Sequence, residues 1–208
     1  ITVELGKQTL PVSTTANPLG YLKYTYTASE IQPDMLNADI TQTTDSPSWG
    51  GLYLQYFEKF DQVQQQKGIL SVTKKLFIEK IGSDGKQELL PLGKEKLKTG
   101  DKVITRLTLS LKQDMDFLYL KDFRAACFEP IGQLSGNQWK FGTVYYEESK
   151  DAVTNFFFNS LAKGTYVLEY PVWVNQAGTY QDGIATFQSM YAPEYTAYSE
   201  AGKITVTK

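Results

Sequence analysis

The sequence predicts an all-β fold, an antiparallel β-sandwich. Apolar and polar residues alternate with a period of two in short runs, which is typical of strands that bury one face. Turn pairs such as Asp84-Gly85 and Asp182-Gly183 separate these runs at fairly regular spacing. The most helix-like segment, Leu90–Lys98, contains Pro91 and Gly93, so we predict no amphipathic helix there.

Each predicted strand is a run in which every second side chain is apolar. In KVITRLTLSL, Val103 and Leu107 share one face, and Arg106 and Thr108 share the other. Pro171 lies within YVLEYPVWV, and because proline cannot donate to a strand ladder, this run predicts an edge strand or a bulge. The other predicted strands are, in chain order, Ile1–Leu10, Tyr21–Ser29, Leu36–Gln42, Gly51–Phe60, Leu70–Ile81, Phe117–Phe123, Thr143–Glu147, Val153–Phe158, Gly183–Tyr191 and Gly202–Val206.

The composition is that of a globular chain. Of 208 residues, 41% are hydrophobic and 21% are charged, which suffices for a real core. The net charge of -2 gives no reason to expect a nucleic acid or an anionic membrane as partner, and no apolar run is long enough to span a bilayer. The chain starts in a strand-like run without an initiator methionine, so we expect a fragment or a processed product.

The absence of histidine limits the catalytic mechanisms and the metal sites that this chain can have. A chain with 0 histidines lacks the commonest general base and the usual zinc ligand. Neither a phosphate-binding loop nor calcium-loop spacing occurs. We therefore expect no enzymatic activity, no metal and no other cofactor. A hydrolytic carboxylate pair stays open as an alternative, because its separation across a cleft cannot be read from sequence. Its candidates are Glu147, Glu148, Asp151 and Glu194.

Cys127, within DFRAACFEP, is the only cysteine. This excludes an internal disulfide and leaves the cellular compartment open. Arg124 supplies a nearby positive charge, but a reactive thiolate normally also needs a base or a helix N-terminus. Ala126 and Phe128 beside the thiol are typical of core packing, so we predict a buried structural thiol.

The chain is rich in aromatic residues, with 14 Tyr, 11 Phe and 3 Trp. Segments such as YLKYTYT, LYLQYF and VYYEE contain tyrosines that could contact a sugar or another protein. Tyrosine also suits half-exposed strands without any binding role. The sequence leaves both interpretations open.

Several runs resemble a known family when taken together. They are WGGLYLQYFEKFD, LSVTKKLFIEK, GDKVITRLTLSLKQDMDFLYLKDFRAACFEP, the long run from YYEESKD to YAPEY, and SEAGKITV. In order and spacing they resemble the C-terminal end of bacterial alpha-2-macroglobulin-like proteins, in particular the large Bacteroidetes-type members. The resemblance covers nearly all of residues 49–208 and is weaker over 1–48. It implies a macroglobulin-like sandwich of immunoglobulin-like architecture over 68–208, and a partial CUB-like β region over 1–62.

The resemblance also implies a function. Members of this family are very large chains that trap proteases. Cleavage of a bait region exposes an internal thioester, formed within a Cys-Gly-Glu-Gln motif, which then couples to the protease. Cys127 lies in CFEP, where Phe128 and Pro130 stand in place of the glycine and the glutamine, so it does not match the reactive cysteine. The implied role is a non-catalytic structural and regulatory domain of a broad-spectrum protease inhibitor.

The resemblance further implies partners and a location. The partners are other domains of the same parent chain, above all the thioester domain, and host or competitor proteases. The location is the periplasm or the cell surface, with a lipid anchor on the parent as an option and no direct membrane insertion by this chain. The sequence leaves open a trap-like scaffold without a thioester, and a free-standing adhesive or carbohydrate-binding sandwich. The candidate interdomain contacts are Tyr145, Tyr146, Tyr191, Glu194 and Tyr195.

Overall fold

The computed structural model describes residues 1–11, 22–66, 68–93, 96–132, 134–140 and 142–208. The chain divides into two compact units, Ile1–Tyr56 and Phe57–Lys208. Regular structure in the described residues is almost entirely β, with two short 3₁₀ turns at Pro33–Leu36 and Phe60–Gln62. The predicted all-β fold is confirmed. No helix in the described part of the chain is long and apolar enough to cross a membrane.

The first unit contains a small antiparallel sheet. Its strands are β1 (Thr2–Leu5), β2 (Gln8–Leu10) and β3 (Ala38–Thr41), in the order β2-β1-β3. The prediction of one strand over Ile1–Leu10 was wrong, because Gly6 adopts a φ of 61° and turns the run into a hairpin. The CUB-like identity of this region stays a prediction.

Two other predicted strands do not form. Residues 22–29 and 51–59 contain no strand, and Tyr21 lies outside the described residues. A strand needs a neighbour that pairs with its backbone groups, and alternation alone does not supply one. The run between 51 and 59 therefore keeps an alternating pattern of apolar side chains without forming a ladder.

The second unit contains the sandwich. Its strands are β4 (Leu70–Ile81), β5 (Gln87–Pro91), β6 (Leu97–Lys98), β7 (Lys102–Leu111), β8 (Met115–Phe123), β9 (Phe128–Pro130), β10 (Gly136–Lys140), β11 (Thr143–Ser149), β12 (Val153–Leu161), β13 (Gly164–Val174), β14 (Gly178–Asp182), β15 (Ala185–Ser189), β16 (Thr196–Tyr198) and β17 (Gly202–Thr207). They form a six-stranded sheet in the order β10-β11-β12-β8-β15-β16 and a five-stranded sheet in the order β5-β4-β7-β13-β9. A third sheet has the order β14-β17-β6, and its β17–β6 pair is parallel.

One core lies between the two large sheets. Most inward positions of β7 and β8 are apolar and buried, as Val103, Leu107 and Leu120 illustrate. Phe156 of β12 and Tyr170 of β13 meet across the sheets with ring centroids 6.0 Å apart. Burial of these side chains is the main favourable term that holds the sheets together.

Pro171 shows where the five-stranded sheet is incomplete. The carbonyl of Pro171 accepts a hydrogen bond from the Ile131 amide. The carbonyl and the nitrogen of one strand residue point to the same edge of the strand. The nitrogen of Pro171, which has no hydrogen to donate, therefore also faces the β9 side of β13. On that side β9 pairs only with residues 172–174, so the earlier part of β13 has β7 as its only partner among the described strands. The predicted edge thus applies to the first part of β13.

Because Asp61–Gly68 is polar and shows no strand pattern, the sequence predicts a domain boundary there. In the structure this segment lies within the second unit. The Gln65 side-chain amide donates to the Val72 carbonyl at 2.8 Å, and the Gln66 amide donates to the Tyr198 carbonyl at 3.1 Å. These contacts tie the segment to β4 and β16. The domain assignments 1–62 and 68–208 remain predictions.

Candidate functional site

A row of stacked aromatic side chains crosses the outer face of the six-stranded sheet. Tyr119 of β8 stacks on Phe157 of β12 with centroids 4.9 Å apart, and Phe157 lies 6.3 Å from Tyr146 of β11. The three residues are cross-strand neighbours, because Phe157 pairs with Tyr119 on one side and Tyr146 on the other. We call Tyr119, Tyr146 and Phe157 the outer aromatic row.

A series of linked hydrogen bonds between polar side chains holds the outer aromatic row in place. The Tyr119 hydroxyl donates to Asn155 Oδ1 at 2.8 Å, and Asn155 Nδ2 donates to Glu148 Oε2 at 2.7 Å. Lys150 Nζ lies 3.1 Å from the same Glu148 oxygen. Hydrogen bonds from Asn155 and Lys150 lower the pKa of Glu148, so this carboxylate is ionised at neutral pH.

An exposed apolar cluster lies at the end of β8 and β15. The rings of Phe117 and Tyr191 meet edge to face at 5.3 Å, and the Met190 amide donates to the Phe117 carbonyl at 2.9 Å. Tyr191 is 78% exposed, and the side chains of Phe117 and Met190 are about half exposed. We call Phe117, Met190 and Tyr191 the apolar tip. Exposed rings of this kind are typical of surfaces that contact another protein.

Phe117 adopts an unusual backbone conformation, with a φ of 52°. Among the described residues it is the one non-glycine with positive φ, a region that side chains with a Cβ rarely occupy. Such strain often coincides with functional positions. The sequence does not signal it, because nothing in QDMDF marks a left-handed residue.

The five predicted contact residues lie in two places. Tyr145 and Tyr146 lie on β11, whereas Tyr191, Glu194 and Tyr195 lie in the connection from β15 to β16. Because neighbouring residues of a strand face opposite ways, Tyr146 joins the outer aromatic row and Tyr145 faces the core. Tyr145 is only 3% exposed, with its ring 5.7 Å from those of Phe156 and Phe158. Burial raises the pKa of Tyr145 to about 12.

The β15–β16 connection is a short ordered turn. The Tyr195 amide donates to the Ala192 carbonyl at 2.9 Å, and the Ser189 amide donates to the Tyr195 carbonyl at 3.0 Å. Glu194 is exposed, and Tyr195 packs partly against the core. The turn thereby presents Tyr191 and Glu194 to solvent while Tyr195 anchors it.

The four carboxylates considered for hydrolysis have different surroundings. Glu148 is hydrogen-bonded within the outer face, and Glu147 on the opposite face is half-buried, which raises its pKa. Asp151 and Glu194 are exposed at the surface. In the part of the chain that the structure describes, no three potential metal ligands converge.

The described position of Cys127 agrees with a structural thiol. The side chain is fully buried in the core, and burial raises its pKa to about 11. A thiol in this state carries little thiolate at neutral pH and reacts slowly.

A buried group of charges joins the two large sheets, and sequence reasoning missed it. Lys74 Nζ lies 3.0 Å from Asp122 Oδ1 and 2.8 Å from Asp182 Oδ1. The Tyr170 hydroxyl donates to Asp122 Oδ2. We call Lys74, Asp122 and Asp182 the interior ion cluster. A signal existed, because Lys74 and Asp122 occupy inward positions of the alternating runs that become β4 and β8.

Arg124 lies beside the interior ion cluster and is itself buried. Its guanidinium donates to the Thr154 hydroxyl and to the carbonyls of Lys150 and Asp151. Burial raises the pKa of Asp122 against the opposing effects of Lys74 and Arg124. Burial also lowers the pKa of Lys74, but its two carboxylate neighbours outweigh this effect and raise it overall.

The family "Bacterial Alpha-2-macroglobulin MG10 domain" matches residues 70–194, more than half of the chain. A comparison with curated protein sequences finds no significant match. The structure is also similar to solved bacterial alpha-2-macroglobulins at low sequence identity.

Three of these structures illustrate the similarity. Salmonella alpha-2-macroglobulin reacted with methylamine is 20% identical, with a TM-score of 0.54, over 70% of this chain and 10% of that one. Trypsin-activated alpha-2-macroglobulin from Escherichia coli is 17% identical, with a TM-score of 0.53, over 70% and 11%. The native conformation of the Escherichia coli protein is 18% identical, with a TM-score of 0.53, over 75% and 10%. The chain thus spans about a tenth of the length of these relatives.

The fold and the surface are those of a β-sandwich domain with an exposed contact surface. The second unit is a β-sandwich whose apolar tip exposes aromatic side chains of the kind that suit contact with another protein. The family match then makes the assignment specific: the chain belongs to the bacterial alpha-2-macroglobulin MG10 domain family. The predicted resemblance to the C-terminal part of such proteins is confirmed, and the Bacteroidetes type stays a prediction.

Proposed function

We propose that this chain is the non-catalytic C-terminal domain of an alpha-2-macroglobulin-like protease trap, and that it packs near the thioester domain of the same parent. The family match over residues 70–194 is the observation that carries this proposal. The apolar tip supports it, because an exposed aromatic pair on a strained backbone suits a contact surface better than it suits catalysis. Trapped proteases would be partners of the parent chain.

In this proposal the domain acts as a latch on the uncut trap. A trap must hold one conformation until a protease cuts it, and contacts present only in that conformation shift the equilibrium toward it. Tyr191 and Glu194 would contact the neighbouring domain, with Tyr195 anchoring their turn and Tyr146 extending the surface along the outer aromatic row. Tyr145 would support β11 from the core side.

We place the parent in the periplasm or at the cell surface, where foreign proteases arrive, and we retain a lipid anchor and the Bacteroidetes type as part of this proposal.

The first check is the size of the gene product. An antibody raised against this chain is expected to detect a band many times larger than 23.5 kDa in the source cells. A band at 23.5 kDa would remove the basis for a trap.

The latch is tested in the parent chain by Tyr191→Ala. We expect the uncut variant to label with methylamine about tenfold faster than wild type, since loss of an interface aromatic costs about 1–2 kcal/mol. The matched control is Trp173→Ala, which removes a half-exposed aromatic from the outer face of the five-stranded sheet. Equal labelling of all three uncut proteins, with normal labelling after protease cleavage, would contradict the latch.

A carbohydrate-binding sandwich is the competing function, and the outer aromatic row is the observation in its favour. Stacked rings on an open sheet face can contact the apolar face of a sugar. Micromolar binding on a glycan array that is lost in Tyr119→Ala would favour this function. We expect no such binding, because the row is held by its own hydrogen bonds and stacks on itself.

A further inference from the structure

The interior ion cluster brings an amine and two carboxyl groups together in a largely buried position. The side chains of Lys74, Asp122 and Asp182 are 3%, 0% and 13% exposed. Lys74 Nζ also donates to the carbonyls of Phe123 at 2.7 Å and Gly183 at 2.8 Å. An ammonium has three N–H groups, so it cannot give aligned hydrogen bonds to four oxygens.

The two carboxylate oxygens that face Lys74 are the ones left without aligned donors. Asp122 Oδ1 and Asp182 Oδ1 are both buried, and neither has a hydrogen-bond partner of good geometry, although both lie within ion-pair distance of the ammonium. Buried charges in this state are costly, because attraction does not fully replace hydration. The Lys74 amine therefore lies near enough to both carboxyl groups to react with one of them. The same groups form a salt bridge whose facing oxygens lack aligned hydrogen bonds.

We propose that Lys74 and Asp182 form an intramolecular isopeptide bond, with Asp122 as the carboxyl group that accepts and relays the protons. The bond would join β4 of the five-stranded sheet to the end of β14. The proposal rests on the described core alone and does not depend on the function proposed above.

The surroundings of the two carboxyl groups assign their roles. Asp122 lies within β8, and its second oxygen accepts a hydrogen bond from Tyr170, so this carboxyl is fixed with Oδ1 toward Nζ. Asp182 is the last residue of β14 and keeps some exposure, so it can shift toward Nζ and release water. Gly183 follows it and packs directly against the backbone of Phe123, which places the turn beside the amine.

The reaction needs no cofactor or oxidant. One proton passes from the Lys74 ammonium to the Asp122 carboxylate, and the neutral amine attacks Cγ of protonated Asp182. The Nζ–Cγ bond forms and one Cγ–O bond breaks. A second amine proton is relayed through Asp122 to the departing hydroxyl, which leaves as water. Asp122 ends as a neutral acid, so an ammonium and a carboxylate are both lost from the core.

The pKa shifts of the two carboxyl groups favour this order of events, whereas the raised pKa of Lys74 opposes the first proton transfer and makes it the slow step. Burial raises the pKa of Asp182 and that of Asp122, which favours the neutral acid that the attack on Asp182 requires and the neutral acid that Asp122 becomes. The isopeptide bond would also provide a covalent link between sheets in a chain whose single cysteine cannot form an internal disulfide.

The test is the mass of the purified 208-residue chain, followed by peptide mapping. We expect an intact mass lower than that of the sequence by one water molecule. We also expect a branched peptide in which the segment containing Lys74 is joined to the segment containing Asp182, with no tryptic cleavage after Lys74. A full mass with a free Lys74 peptide would overturn the proposal.

Asp182-Gly183 could also lose water by forming a succinimide, so variants are needed. Lys74→Arg keeps the positive charge but removes the amine, and it should restore the full mass, whereas a succinimide would persist. Lys75→Arg alters the exposed neighbour and should keep the link. Asp122→Asn keeps both reacting groups and should abolish or strongly slow the link. A normal link in Asp122→Asn, or a link from Lys74 to Asp122, would overturn the roles assigned here.

Discussion

Gly183 is a residue whose side chain is excluded by its neighbours. A Cβ at this position would lie 2.2 Å from the Phe123 carbonyl oxygen, far inside van der Waals contact. We predict that Gly183→Ala lowers the free energy of unfolding by about 1–3 kcal/mol, because backbone atoms must move to admit the methyl group. Urea unfolding at 25 °C measures this loss.

Gly202→Ala is the matched control for this substitution. A Cβ on Gly202 would meet no atom within 4 Å, and the residue also stands at a strand end. We expect a change within about 0.5 kcal/mol, as for other surface substitutions. Equal effects at both glycines would show that the close approach at Gly183 is not a constraint.

Cys127 gives a prediction that depends on pH. Burial raises its pKa from 9.0 to about 11, so the folded state favours the neutral thiol. The neutral thiol therefore contributes its full stabilisation of the folded state at pH values below the pKa of the unfolded state. This contribution is lost as the pH rises through about 11. We expect iodoacetamide at pH 8 to label the folded protein far more slowly than the urea-unfolded protein. Similar rates would mean an accessible thiolate.

At the scale of the element, β8 contains a residue, Phe117, whose backbone conformation is unfavourable for its side chain. Phe117 has a φ of 52°, and both Asn and Val would remove its ring contact with Tyr191. Asn tolerates this region and a β-branched residue does not. We therefore predict that Phe117→Val is less stable than Phe117→Asn by about 1–2 kcal/mol, measured by urea unfolding.

The difference between these two variants isolates the backbone effect, because each loses the same ring contact with Tyr191. The outer aromatic row does not contribute to this difference, since Tyr119 is unchanged in both proteins. If Phe117→Val proved equal to Phe117→Asn, or more stable, the left-handed conformation would not be enforced by the surrounding strands.

At the scale of the whole molecule, the apolar core belongs almost entirely to one unit. Leu5 and Leu10 are the only buried apolar side chains of the first unit among the described residues, and the remainder lie in Phe57–Lys208. We predict that a chain of residues 57–208 unfolds in urea with the same midpoint as the full chain, and that residues 1–56 alone show no cooperative transition.

The control for this prediction is the unfolding of the full chain followed by two probes. Tryptophan fluorescence and far-UV circular dichroism should give one main transition, because the second unit dominates both core and strand content. A midpoint for residues 57–208 well below that of the full chain would mean that the first unit contributes to the stability of the second.

Sequence alone determined the elements that depend on local pattern. The run Leu70–Ile81 forms a strand with the predicted bounds, because alternation of period two matches the pleat of a half-buried strand. The same pattern failed between 51 and 59, where no described strand pairs with it. Among the site residues, sequence identified Tyr146, Tyr191 and Glu194 as polar or aromatic groups near turns, and the structure places all three at the surface.

Tertiary structure decided what depends on distant neighbours. Sequence distinguishes Tyr145 from Tyr146 only by strand register, and the sheet buries the first and exposes the second. It could place Lys74 and Asp122 inward, but only the packing of one sheet on the other brings them to 3.0 Å. The physical reason is range: alternation and turns act over a few residues, whereas a charge cluster or an aromatic pair requires strands far apart in sequence to meet.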